Sequence, residues 1–99
     1  MPIYHLVWFK FNDDVPETRI AAHLAALRSL PAHVPGILSL AVGANFTQRA
    51  EGFTHGLVVV LRDKAALAAY AVHPHHIAVA SAVARDAQLR ALDFEFDPA

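Results

Sequence analysis

Two segments of this chain are apolar on both of their alternating sets of residues, and that constrains the fold more than any other feature. Ile3 to Phe11 carries Ile3, His5, Val7, Phe9 and Phe11 on one set and Tyr4, Leu6 and Trp8 on the other; Thr54 to Arg62 centres on Val58-Val59-Val60-Leu61. Side chains alternate across a strand, so both segments read as strands covered on both faces. A layer of helices covers only one face of a sheet. The economical cover for the other face is a second copy of the same sheet, which predicts a homodimer packed sheet to sheet. Trp8, opposite His5 on the first strand, is assigned to that interface or barrel interior. Composition agrees, since 56% of the 99 residues are hydrophobic, against roughly half in an ordinary domain.

The remaining pattern sets the order of elements. Asp14-Val15-Pro16-Glu17 is a capping-box-like start with proline in the first turn, and Ile20, Leu24 and Leu27 recur at helical spacing until Pro31. Val34-Pro35-Gly36 marks a turn before a second strand, Ile37 to Ala44, with Leu38, Leu40 and Val42 expected on one face. Asn45 to Gly52 is polar and reads as a loop. Asp63 caps a helix from Ala65 to about Val72, which must break near His73 because Pro74 disfavours helical geometry before it. Helix resumes from about Ile77 to Arg85. Leu92, Phe94 and Phe96 then alternate with Asp93, Glu95 and Asp97 in a last strand with one wet face. The order is βαββαβ, an α+β pattern in one domain over residues 1–99, without repeat or linker.

Charge and composition exclude several classes. Eight basic and nine acidic residues leave a net charge of −1 with no Lys/Arg run, so no nucleic-acid partner is expected. Cysteine is absent, which removes disulfides and thiolate chemistry. No basic start leads into an apolar stretch and no apolar run is long enough to span a bilayer, so a cytoplasmic protein without membrane contact is expected. Gly43 and Gly52 lack a phosphate-cradle context, and Ser29, Ser39 and Ser81 lack a G-x-S-x-G setting.

The chemistry-bearing residues concentrate in Tyr70-Ala71-Val72-His73-Pro74-His75-His76 and in His5, which together hold four of the seven histidines. Tyr70 and His73 lie one helical turn apart and can share a face. His76 follows the proline break, and His5 shares a strand face with Val7 and Phe9. Convergence of the four would combine a base near neutral pH with a hydroxyl donor. The competing reading is that these side chains hydrogen-bond carbonyls freed by Pro74. A metal site at His73, His75 and His76 is not expected: zinc takes four ligands, or three and water, and no H-E-x-x-H or cysteine pairing accompanies them. His33 and His55 read as loop and strand-end residues.

The chain resembles the stress-responsive dimeric α/β barrel (Dabb) domains. The residues that carry the likeness are His5-Leu6-Val7 with Phe9-Lys10-Phe11, Val34-Pro35-Gly36-Ile37, Gly43-Ala44-Asn45-Phe46, Gly52-Phe53-Thr54-His55 and Tyr70 to His76, in that order over nearly the whole chain. The resemblance implies a ferredoxin-like fold, a four-stranded antiparallel sheet that closes into a barrel across a homodimer. The family includes plant polyketide cyclases that perform an aldol condensation without cofactor. By resemblance Tyr70 and His76 would be the catalytic pair, with His5, His73, His23 and Leu27 lining a pocket for a small aromatic or ketone-bearing ligand. His23, Leu24 and Leu27 stand where a cyclase places aromatics, so its substrate does not carry over. No cofactor and no metal are implied. The alternatives are a non-catalytic structural dimer or ring-forming protein with a filled pocket, and haem or oxygen chemistry of the kind seen in other dimeric ferredoxin-like barrels.

Overall fold

The computed structural model describes residues 1–99. Strand β1 (Ile3–Phe11) leads to helix α1 (Glu17–Arg28) and a four-residue helix α2 (Leu30–His33), followed by strands β2 (Ile37–Ala44) and β3 (His55–Leu61). Helices α3 (Lys64–Val72) and α4 (Pro74–Asp86) precede β4 (Ala87–Glu95). The sheet order is β2-β3-β1-β4, with every neighbouring pair antiparallel. This is the ferredoxin-like βαββαβ arrangement, with an open four-stranded sheet.

Register decides which face each residue serves. Ile3, His5, Val7, Phe9 and Phe11 pair with Leu61, Val59, Leu57 and His55 of β3 and with Glu95, Asp93, Ala91, Leu89 and Ala87 of β4, so all of these lie on one side. That side packs against Leu27, Leu30, Ala66, Tyr70, Val79 and Val83 of the helices, in a core where Val59, Leu61 and Leu30 are fully buried. Burying a Leu or Val side chain fully is worth about 1.5–3 kcal/mol, so this layer supplies most of the folding drive of one chain.

The other sheet face is bare in the single chain and apolar. Trp8, Leu92 and Phe94 remain 47%, 61% and 45% exposed there. Tyr4 stacks on Phe96 at 4.1 Å and tilts against Phe94 at 5.5 Å. The expected wet face of the last strand is therefore the helix side, where Asp93 and Glu95 stand, and its apolar set faces away from the helices.

Several local expectations are corrected. No capping box forms at α1: Pro16 occupies the N-cap position and no side chain accepts from the first turn. Pro31 does not simply stop the helix, because α1 ends at Arg28 with Ser29 as its C-cap, and Pro31 sits in the first turn of α2, where its missing N–H costs nothing. A register shift between Ile37 and Ser39 makes Leu38 the extra residue of a bulge, 59% exposed and no longer in line with Leu40 and Val42. Helix α4 starts at Pro74 itself, and β4 begins immediately after Asp86, earlier than the alternation at Leu92 suggests. Gly36 has φ +90°, and a Cβ there would stand 2.8 Å from Ala66 Cβ, so this turn needs glycine for conformation and for space. Asp63 does cap α3, accepting from Ala66 N–H at 2.8 Å.

Candidate active site between sheet and helices

A cavity of about 440 Å³ lies between the helix side of the sheet and helices α1, α3 and α4. Its walls are mostly apolar, including Val7, Phe9, Leu57, Leu67 and Val83, with Leu27 contributed by α1. Four polar side chains open onto it: His5, Tyr70, His76 and Asp93. A largely apolar cavity with a few convergent polar groups has the character of a small-molecule site.

Each polar group is held by its element. His5 is cross-strand from Asp93 in the β1–β4 ladder, and its Nδ1 hydrogen-bonds the Asp93 carboxylate. A carboxylate only accepts, so Nδ1 carries the hydrogen and Asp93 fixes the imidazole orientation. The His5 ring meets Tyr70 edge-on at 5.4 Å, and the His76 ring lies 4.0 Å from Tyr70. Three rings from β1, α3 and α4 thus meet around Tyr70.

The helix break places His76. His76 Nδ1 lies 3.4 Å from the carbonyl of Ala71, in the last turn of α3. The carbonyl can only accept, so Nδ1 donates and the Nε2 lone pair is left free. This bond also satisfies a carbonyl released by the break, so the structural role expected of such histidines and an oriented base coexist in one side chain. Burial holds His76 below the usual histidine value, the Ala71 bond opposes this, and nearby His5 and His73 reinforce it. The ring is therefore neutral at pH 7.

Tyr70 is buried, yet its hydroxyl joins no hydrogen bond within the chain. No fully buried side-chain polar atom lacks a partner, so this hydroxyl opens on the cavity. Burial and, secondarily, the Asp93 carboxylate push its pKa up to about 12. It remains a proton donor throughout the physiological range.

The other sequence candidates lie elsewhere. His73 does not line the cavity; its Nδ1 accepts from His75 N–H at 3.1 Å, at the start of α4. His23 is buried at the back of α1, where Nε2 bonds Asp86 at 2.7 Å and the ring stacks on Phe11 at 5.8 Å. Arg19 bonds both Asp86 oxygens at 2.8 and 3.0 Å, so His23 belongs to a clasp tying α1 to the end of α4. His75 stacks on His33 at 4.0 Å, and His55 meets Phe11 edge-on at 5.1 Å. No three His, Cys, Asp or Glu side chains come together in ligating geometry. Asp93 is the cavity residue that sequence reasoning missed, because its alternation with apolar residues reads as a solvated edge.

Two further hollows, of about 520 and 280 Å³, flank Trp8 and Phe53 on the bare sheet face. Arg90 lies over the Phe53 ring there at 5.7 Å. No helix is long and apolar enough to cross a membrane.

Comparison with known proteins follows the same lines. The family model described as Stress responsive A/B Barrel Domain matches residues 3–96. A stress-response A/B barrel domain-containing protein of Arabidopsis thaliana is 35% identical over 78 residues, 78% of this chain and 29% of that protein, so the match spans under a third of the plant protein. Olivetolic acid cyclase of Cannabis sativa is 26% identical over 100 aligned positions, 99% of this chain and 98% of that enzyme. A dimeric ferredoxin-like protein of Thermobifida fusca superposes with a TM-score of 0.86 at 29% identity, covering 97% of this chain and 92% of the other.

Proposed function

This chain belongs to the stress-responsive A/B barrel domain family, and we propose that it is a sheet-to-sheet homodimer whose cavities bind a small carbonyl compound and move protons on it without a cofactor. The observation that carries this reading is the open cavity of about 440 Å³ on which a free tyrosine hydroxyl and an oriented, neutral histidine converge. A purely structural role would favour filling that space with side chains, since close packing is the norm in protein interiors. The mostly apolar walls suit an aromatic or alkyl ligand, and the polar groups suit its carbonyl oxygens.

The two central groups have complementary duties. His76 Nε2 removes a proton from the carbon beside a carbonyl, and the enolate formed attacks a second carbonyl of the same molecule, making a carbon–carbon bond. The resulting alkoxide takes the Tyr70 proton, and the His76 imidazolium returns its proton to the tyrosinate. Burial keeps each group in its neutral form at pH 7, which is what this cycle needs at its start. Asp93 holds His5 beside Tyr70, where it positions the ligand. Olivetolic acid cyclase, similar over nearly the whole chain, supports cyclisation as the reaction class.

Thermal unfolding with a panel of aromatic ketones and polyketide-like acids tests binding. A ligand at 100 times its Kd stabilises the native state by about 2.7 kcal/mol, which raises Tm on the order of 10 °C in a chain of this size. Tyr70→Phe and His76→Ala are expected to stay folded while losing turnover of any compound that the native protein converts. No shift across a broad panel, or full turnover in both variants, contradicts the proposal.

A further inference from the structure

We propose that His73 is a positioning residue: its neutral imidazole caps α4 and fixes the turn that presents His76 to the cavity, so protonating His73 releases His76. The backbone of His73 is extended, with φ −65° and ψ 131°, and closes both helices at once. Its N–H bonds the Tyr70 carbonyl at 3.2 Å to finish α3, and its carbonyl accepts from Ile77 N–H at 2.9 Å to open α4. Pro74 has no N–H to satisfy, so His75 offers the first orphan donor of α4, and His73 Nδ1 takes it at 3.1 Å. His76 is the next residue, and its own Nδ1 reaches back across the break to Ala71. The bonds that set the turn before His76 therefore run through one hinge residue, while the side chain of His76 itself bonds Ala71.

This cap differs from the usual Ser, Asp or Asn because its acceptor is an imidazole nitrogen, which loses its lone pair on protonation. A ring nitrogen accepts only through a lone pair. Once the ring is protonated, both nitrogens carry hydrogen, and Nδ1–H meets His75 N–H as donor against donor. The cation would also stand at the positive end of α4. The groups around this hinge are His75 and His76 from the first turn of α4, His33 of α2 stacked on His75, Ser29 from the end of α1 at 3.4 Å from His75 Nε2, Tyr70 of α3, and His5 of β1, whose ring meets Tyr70 as that of His76 does. No carboxylate forms an ion pair or hydrogen bond with His73. Acidification thus removes the cap and loosens the turn.

The importance of the device rests on the proposed role of His76, but its test reads the ring directly and needs no substrate. Histidine-¹⁵N NMR of the intact protein reports the His76 tautomer as pH is lowered. The native protein should show the Nδ1–H tautomer, and should lose it in a step distinct from protonation of His76. In His73→Asn, which keeps an acceptor that takes up no proton, that separate step should vanish. His73→Ala should show mixed tautomers at every pH. A separate step that persists in His73→Asn, no separate step in the native protein, or native behaviour in His73→Ala, overturns the proposal. If the Ala variant does not fold, the Asn comparison decides alone. Failure of the catalytic reading would leave these spectra unchanged.

Discussion

Trp8 gives the sharpest energetic prediction, because it sits in the middle of a sheet face that no helix covers. It is 47% exposed in the single chain, edge-on to Phe53 at 5.6 Å, with Leu92 and Phe94 exposed on the neighbouring strand. Taking about 250 Å² for a tryptophan side chain, about 120 Å² is left for a partner to bury. At about 25 cal/mol/Å² that is about 3 kcal/mol per protomer, and the interface uses the residue twice. Trp8→Ala would then cost up to about 6 kcal/mol of dimer stability, roughly four decades in Kd. Association converts area incompletely and neighbours can settle into the gap, so weakening between about 10²- and 10⁴-fold is expected. Sedimentation equilibrium measures the dimer, and circular dichroism verifies that the helix-side core, which Trp8 does not enter, stays folded. A Trp8→Ala dimer within about tenfold of native affinity would refute the assignment of this face, as would a native protein that is monomeric at tens of micromolar.

Three other perturbations follow from the same geometry. Asp93→Asn removes a carboxylate that helps to raise Tyr70, so phenolate absorbance in a Tyr4→Phe background should show the Tyr70 pKa falling from about 12 while staying above its ordinary 10.0, because burial remains the larger cause; an unchanged value would contradict the placement of Asp93. The Arg19 and His23 bonds hold folded Asp86 at about 2, below its ordinary 3.8. The unfolded chain takes up this proton first, so the stabilisation is complete above 3.8 and disappears as pH falls towards 2. Urea midpoints against pH should decline across that window in the native protein and less steeply in Asp86→Asn; equal slopes would count against the clasp. Gly36→Ala forces a Cβ to 2.8 Å from Ala66 at φ +90°, and should lower stability by more than about 1 kcal/mol in urea unfolding; an unchanged midpoint would mean that the turn relaxes freely.

The fold was legible where one period ran unbroken to a turn residue. The doubly apolar sets of β1 and β3 named the sheet and its need for a second cover, and Pro74 located the break between α3 and α4. Ala87 to Arg90 was not legible as strand, because an Ala-rich helix runs into it without any turn residue. The site was partly legible: Tyr70, His76 and His5 stood out by residue type and by resemblance. Asp93 was hidden because alternation shows that two faces differ without showing which one meets the helices. Antiparallel register opposite His5, with Leu92 and Phe94 given to the bare face, would have revealed it. His73 and His23, expected in the pocket, attach instead to backbone and to Asp86, through contacts that depend on helix geometry and on pairing across 63 residues.

In the proposed reaction His76 takes a proton from the carbon beside a carbonyl inside this cavity. Hydrogen–deuterium exchange at that carbon tests it most directly, followed by proton NMR in heavy water on an aromatic methyl ketone that raises the melting temperature. Exchange well above the buffer rate is expected with native protein, with a return to the buffer rate in His76→Ala. A compound that binds the native cavity yet exchanges only at the buffer rate, or exchanges equally fast with His76→Ala, would contradict it.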